Sequence, residues 1–591
     1  MMGAQPGDCS DTNTFTLPSH ESESLTEEES AERIATHFAE ISNELPALDI
    51  NSLPARVQTK LSSTQKPPII SEYETYNKIR AAKKPKSGIP NDLPKLLVQE
   101  FGTELATPVS KIINNIVQTG EWPNQWKLEY VSPIGKVPMP ESEDELRPIS
   151  LTAYFSKVTE HFVVMWLMEF IKDKIDFRQY GGMKGNSIAH YLIEFINFIL
   201  MNQDSQEQTA ILACLVDFQK AFNRINHNLI ITKLSDMGVP GWLLKIVVAF
   251  LKDRKMLVRY KGKHSSIKSL PAGGPQGTLL GLLLFIILIN EVGFEGQVNN
   301  LGDLLTARKN MKSANLIHMK YVDDLSFAEA INLPEKLRLA PNRQQPDNFH
   351  ARTGHILPVG NSEVFKQLLK TEEYAKNNDM KMNLKKTKLV VFNPCKSRDF
   401  IPEFTLQGQT LEVVDKFRIL GLIVSSDLSN SEYIVSKANK RLWIIRRLKA
   451  LGATTKDLIE IYITQVRSVL EFAVPVWQSN ISLADKANIE RVQKSFCHII
   501  LGEKYHSYKN ALEVLSLETL EIRRNQLCLR FARKCEKHDK FKNWFKLNTK
   551  NTNTRSEKLK YCQVQARLSR LEKSPISFLT NMLNEHYQKS K

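Results

Sequence analysis

A chain of 591 residues is too long for one compact core, and 42% hydrophobic with 24% charged residues excludes a fibrous or wholly disordered protein. Lys and Arg outnumber Asp and Glu by 80 to 64, a formal net charge of +16 with a pI near 9.3; that excess points to a polyanionic partner such as nucleic acid, although an inert basic surface would carry the same sum. The seven cysteines (9, 214, 395, 497, 528, 535, 562) are scattered and odd in number, no basic-then-apolar leader opens the chain, and the longest apolar run, Leu279 to Ile289, is too short to cross a bilayer. The expectation is an intracellular protein, in nucleus or cytoplasm, neither secreted nor membrane-bound.

Residues 1–32 carry eight acids and no Lys or Arg, and prolines stand at 46, 54, 67 and 68. This predicts an acidic, low-structure segment over 1–70, relieved by a short helix from about Ala31 to Ala39, with folded structure beginning near Glu72. A basic Gly/Pro-rich loop at 83–92 precedes a helical run from Pro94 to Val117 and a strand over Tyr130–Ile134. Lys136 and Arg147 occupy loops, and helices are expected from about Lys157 to Lys172 and from His190 to Met201. Gly181–Ser187 is a second glycine-rich basic loop. Loops of this kind ahead of helices suit phosphate contacts, although each could be only a turn.

Ala210 to Val216 is a near-continuous apolar run, the pattern of a buried strand, and it delivers Asp217 at its end. A charge so placed needs a partner, commonly a metal. Residues 229–252 read as helical, and Gly273–Thr278 is a third glycine loop feeding the apolar Leu279 helix. In Lys320–Ser326 the adjacent Asp323 and Asp324 lie between short apolar runs, which predicts a tight β-hairpin with the acids at its tip. By itself the pair could be a solvated turn. Two neighbouring carboxylates repel unless divalent cations neutralise them, and Mg²⁺ suits hard oxygen ligands, with Mn²⁺ as a substitute. With Asp217 there are three carboxylates on one sheet, enough to hold two ions about 3.5–4 Å apart for in-line nucleotidyl transfer.

Residues 333–359 read as an irregular loop, Ser362–Asn377 as a helix, and Lys385–Lys388 as a turn running into a strand to Phe392. Ser436 to Lys449 holds six Lys or Arg and no acid, interleaved with apolar residues. Such a helix either packs in a core or tracks a phosphate backbone. A polar linker, 548–555, precedes a last helical piece. Cys528, Cys535, His538 and Cys562 match no short zinc-knuckle spacing and read better as buried thiols on helices.

In register, the sequence resembles the reverse transcriptase of non-LTR (LINE-type) retrotransposons, jockey-like branch. The motifs are Arg147-Pro148-Ile149-Ser150-Leu151, Gln179-Tyr180-Gly181-Gly182, Val216-Asp217-Phe218-Gln219-Lys220-Ala221-Phe222, Gly274-Pro275-Gln276-Gly277-Thr278, Tyr321-Val322-Asp323-Asp324, Asn383 to Lys388, Leu420-Gly421, Arg467 to Ala473 and Pro475-Val476-Trp477. The resemblance runs from about 84 to 583. It implies an α+β right-hand polymerase, with fingers, a palm built on an antiparallel sheet and a helical thumb, plus a helical C-terminal region. Fingers and palm would span 71–425, the thumb 426–500 and the basic C-terminal region 501–591.

The resemblance also implies roles. Asp217, Asp323 and Asp324, helped by the carbonyl of Phe218, would bind two catalytic Mg²⁺. Phe222 would exclude a 2′-hydroxyl, making dNTPs the substrates. Arg147 and Lys136 would clamp the triphosphate, and Gln276 and Gly277 would shape the nucleotide pocket. Lys386 would protonate pyrophosphate, with Lys385 and Lys388 as alternatives. Lys437, Lys440, Arg441, Arg446 and Arg447 would grip a DNA primer on an RNA template. Asn223 stands where the family often has Asp, away from the metal ligands. An upstream endonuclease domain, usual in such elements, is not expected in this chain, so a truncated or host-retained remnant that only binds nucleic acid is the alternative. Oligomeric state is left open.

Overall fold

The computed structural model describes residues 25–81, 89, 92–204, 209–293, 316–332, 362–393, 404–425, 431–548 and 559–589. Most of the 83–92 loop, the 333–359 loop, most of the 548–555 linker and residues 1–24 lie outside them. In chain order the main elements are helices α1 (Glu27–Asn43), α2 (Ala55–Leu61), α3 (Glu72–Ala81) and α4 (Gly102–Thr119), then β1 (Leu128–Gly135), β2 (Leu146–Leu151), α5 (Tyr154–Ile171), α6 (Ile188–Gln203) and β3 (Thr209–Val216). They continue with α7 (His227–Asp236), α8 (Gly241–Leu251), β4 (Arg254–Tyr260), α9 (Leu279–Leu288), β5 (Leu316–Tyr321), β6 (Asp324–Asn332), α10 (Glu363–Asn377), β7 (Lys388–Phe392) and β8 (Glu412–Val413). The last part holds α11 (Ser431–Ala450), α12 (Leu483–Leu501), α13 (Leu520–Lys537) and α14 (Pro575–Lys589). Among the described residues no helix is long and apolar enough to cross a membrane.

These elements form two compact units that interleave along the chain: residues 1–182, 218–308 and 369–383, and residues 183–217, 309–368 and 384–591. In the first, β1 lies between β2, to which it runs antiparallel with Ile134 opposite Arg147, and β4, to which it runs parallel. α1 covers this sheet, burying Ala31, Ile34, Phe38 and Ala39 against Val131, Leu146, Met256 and Val258. In the second, the sheet order is β8–β7–β3–β6–β5, antiparallel except at the β7/β8 edge. β3 is central, which explains its unbroken apolar run: both faces are covered, so alternation is lost. α6 packs against β3 and β5.

Three expectations need correction. Residues 27–61 are not low in structure. α1 is 17 residues long and starts with a capping box, Thr26 accepting from the Glu29 N–H while the Glu29 carboxylate accepts from the Thr26 N–H at 2.8 Å. Its first-turn acids favour the helix N-terminus, and its apolar stripe is buried. The 229–252 helix is broken between α7 and α8, where Gly238 takes φ +81° and Pro240 cannot continue α7's hydrogen bonding. The run from Pro94 is likewise two helices, Lys95–Glu100 and α4, interrupted at Phe101 with φ −97° and ψ 27°.

Candidate active site

The second unit holds the acids. β3 ends at Val216, which pairs with Leu325 of β6, so extending the antiparallel register by one residue sets Asp217 opposite Asp324. Thr387, fully buried just before β7, accepts a hydrogen bond from the Asp217 N–H at 3.4 Å. β5 and β6 are joined by two residues, Val322 and Asp323, with Tyr321 facing Asp324 across the turn. The hairpin and the position of both acids are as the sequence indicated. Val322 takes φ +58°, a conformation that a β-branched residue resists, so the turn carries local strain at the point where the acids are presented.

The Asp324 carboxyl is pushed up to about 7, first by desolvation and then by the charges of Asp323 and Asp217. The residue as a whole keeps an exposed surface, so its carboxylate is crowded on one side and open on the other. Beneath the hairpin, Tyr191 of α6 shares a 2.5 Å hydrogen bond with Ser326, and its ring meets Tyr321 edge-on at 6.1 Å. Burial and then Asp324 raise the Tyr321 phenol. Among the described residues no three His, Cys, Asp or Glu side chains are already gathered into a closed metal-binding set. The three aspartates nonetheless fit hard cations chemically: all donors are oxygens, and their mutual repulsion is what a cation relieves.

Lys386 is exposed in the turn ahead of β7. Lys388 is occupied differently, donating to the Lys385 carbonyl at 2.7 Å and to the Glu412 carboxylate. On α11, Ile434, Ala438, Leu442 and Ile445 are buried, while Lys440, Arg446, Arg447 and Trp443 face solvent. Lys437 lies over the Tyr433 ring and Arg447 over Trp443, each at 5.8 Å, and Arg441 donates to the Gln465 carbonyl at 2.6 Å. Cys535 meets His190 Nε2 at 3.3 Å, and burial pushes the Cys528 and Cys535 thiols up to about 12, the behaviour of packed thiols.

The first unit holds the other candidates. Phe218 is buried and bridges to Met382, and the Gln219 N–H donates to the Lys381 carbonyl at 2.8 Å. Phe222, half-buried on the short helix Ala221–Arg224, stacks on Phe285 of α9 with centroids 4.9 Å apart. The glycine loop is tied to the same segment: Gly274 N–H donates to the Phe222 carbonyl and Gly273 N–H to that of Ile225, both at 2.9 Å. Gly273 has φ +89°, and a Cβ there would lie 3.1 Å from the Asn223 carbonyl oxygen, so glycine is required. The Gln276 carbonyl accepts from the Ser150 N–H at 2.8 Å, which joins this loop to the Arg147–Leu151 strand, and Gly277 takes φ +114°. Arg147, expected in a loop, instead stands exposed within β2, paired with Ile134 of β1, while Lys136 directs its ammonium to the Asp144 carbonyl at 2.6 Å.

Sequence reasoning missed Glu160 and the anchoring role of α1. Glu160, buried on α5, accepts from the Leu280 N–H at 3.3 Å and is pushed up to about 7, chiefly by burial. An acid within α5's apolar run was the available signal. From α1, Ser42 exchanges hydrogen bonds with the Ala272 backbone at 2.6 and 3.0 Å, and Glu44 accepts from Arg224 at 2.7 Å and Lys381 at 2.9 Å.

Residues 137–340 match the family described as reverse transcriptase (RNA-dependent DNA polymerase), a span that includes Arg147, Asp217, Phe222, Gln276, Asp323 and Asp324 and stops short of Lys386 and α11. The chain therefore carries a reverse transcriptase domain. Two Drosophila melanogaster relatives are similar over part of the chain. The probable RNA-directed DNA polymerase from transposon BS is 24% identical over 396 residues, covering 65% of this chain and 39% of its own length. The RNA-directed DNA polymerase from mobile element jockey is 22% identical over 392 residues, covering 65% and 38%. The chain spans about two-fifths of the length of these relatives. A solved Candida tropicalis telomerase, in complex with a fragment of telomeric RNA, aligns over 83% of this chain and 66% of its own at 12% identity and a TM-score of 0.34.

Proposed function

We propose that the protein is the RNA-directed DNA polymerase of a non-LTR mobile element, adding dNTPs to a DNA primer 3′-hydroxyl on an RNA template. The observation that carries this reading is the meeting of Asp217, Asp323 and Asp324 at one end of a sheet, with the Asp324 carboxyl pushed up to about 7 by burial and by its two neighbours. Two Mg²⁺ ions on these carboxylates, with the Phe218 carbonyl as a further oxygen, would supply activation of the primer hydroxyl and neutralisation of the triphosphate. The protein's own contribution is position and charge.

Phe222, its ring held against Phe285, acts as the barrier to a ribose 2′-hydroxyl, and Arg147 pairs with the triphosphate. Gln276 and Gly277 shape the nucleotide pocket. Lys386 donates the proton to departing pyrophosphate; Lys388, engaged by Glu412, is the poorer donor. The exposed basic face of α11 grips the primer–template in the manner of a thumb, within the division of fingers and palm over 71–425, thumb over 426–500 and a basic helical region over 501–591. The work is done in the nucleus or cytoplasm.

The test is extension of oligo(dT) on poly(rA) with Mg²⁺ and dTTP. Template-dependent extension is expected, with UTP a poor substrate that improves in Phe222→Ala. Failure to extend with either Mg²⁺ or Mn²⁺, by protein that still binds the duplex, would leave only the binding-remnant reading.

A further inference from the structure

Within the first unit a cleft of about 1230 Å³ opens, lined by parts of α2 and α8, the C-terminal half of α4 and residues 119–127. Lys111, Lys127, Lys245 and Lys252 line it, and Glu121 and Asp253 are its acids. Lys245 and Lys252 stand about 10 Å apart along α8. Among the described residues none of the four lysines forms an ion pair, and Lys245 has only a long hydrogen bond, 3.4 Å, to the Ser63 carbonyl. Lys245 also packs its methylenes at Gly120, the C-cap of α4, so that one lysine can serve the helix terminus, and half-buried Lys127 feels the charge of Asp253, while Lys111 and Lys252 are exposed.

In the same wall Trp122 lines the cleft at 3% exposure, its indole nitrogen closed off from solvent. Its ring is fixed edge-on to Phe250 at 5.1 Å and to Trp126 at 6.1 Å. Four ammonium groups against two carboxylates specify an anion. The cleft exceeds the roughly 300–1,000 Å³ of pockets that enclose one small molecule, and its lysines come from separate helices facing a common hollow. That is the form of a track for a flexible strand; a rigid duplex would meet the lysines of one wall only.

We propose that this cleft binds single-stranded nucleic acid, its phosphates lying along Lys111, Lys127, Lys245 and Lys252. Only the choice of nucleic acid as the polyanion rests on the polymerase reading.

The experiment uses the whole chain and a short, end-labelled oligo(rA), without metal or dNTPs, with anisotropy followed across a salt series. Lys111→Gln/Lys245→Gln/Lys252→Gln is compared with a charge-matched control, Lys172→Gln/Lys255→Gln/Lys263→Gln. The cleft variant is expected to bind about tenfold or more weakly near 0.1 M salt and to lose about 2 from the slope of log K against log salt, at ~0.7 per phosphate contact, with the control losing less than half as much. Equal effects in the two variants, or a loss confined to duplex binding, would overturn the proposal. Should the triple variant fold poorly, photocrosslinking of an iodouridine-substituted strand to the wild type decides instead: adducts within 111–127 or 245–252 support the cleft, and adducts only elsewhere refute it. A protein that crosslinks through the cleft but never extends a primer would sink the polymerase reading and leave this one standing.

Discussion

At the scale of single residues, the proposed chemistry turns on a proton that a cation is expected to displace. Asp324 is raised to about 7 by desolvation, Asp323 and Asp217, against an ordinary aspartate value of ~3.9. The folded state thus holds this proton more tightly than the unfolded state, so its contribution to metal-free stability is unfavourable and grows as pH rises from about 4 through 7. Thermal melts in EDTA should show Asp324→Asn more stable than wild type at pH 8 and not at pH 4. Mg²⁺ should raise the wild-type midpoint more at pH 8 than at pH 6 and leave the variant unmoved. An Asp324→Asn midpoint below wild type at pH 8 would contradict the crowding. Val322 supplies a second case. Its φ of +58° suits Asn better, so Val322→Asn is expected to raise stability by about 1 kcal/mol in denaturant melts. A loss would mean that packing of the Val322 side chain outweighs the strain.

Among elements, β3 and the hairpin were legible in the sequence because local pattern and tertiary setting agree. β3 is apolar throughout because it is covered on both faces, and the acids fall where the strands stop. α1 was understated for the opposite reason: acids and prolines dominate its neighbourhood in any composition window, while Ala31, Ile34, Ala35 and Phe38 keep helical spacing within it. α1 anchors the Ala221–Arg224 segment and the glycine loop through Glu44 and Ser42, contacts that join residues more than 170 positions apart and that no local pattern announces. Phe38→Ala should cost about 3–5 kcal/mol of stability. Glu44→Ala, which takes the carboxylate from nearly buried Arg224, should cost about 1–3 kcal/mol and lower extension more than duplex binding. Denaturant melts beside extension assays check both. A chain indifferent to either change would mean that α1 is only peripheral cover.

For the whole molecule, the sequence indicated the order of motifs and the basic character, but not the interleaving of two units, because each unit gathers segments far apart in the chain. The same holds for Glu160, whose contact with the start of α9 links residues 120 apart. Part of the basic excess stands exposed on α11, in Lys440, Arg446 and Arg447, the face proposed to grip the duplex. Replacing Lys440, Arg446 and Arg447 by Gln should flatten the salt dependence of duplex binding by up to about 2.7 in slope, at ~0.9 per phosphate contact. An unchanged slope would remove α11 from the interface.

The most direct test of the central claim pairs extension with binding in Asp217→Asn and Asp324→Asn, both made in the full chain on an RNA template with a DNA primer. Extension should fall by at least about a thousandfold in each, with duplex affinity within roughly twofold of wild type, since three carboxylates acting as one unit fail together while the binding surface stays intact. Extension that survives either change would contradict the assignment of these aspartates to the chemistry.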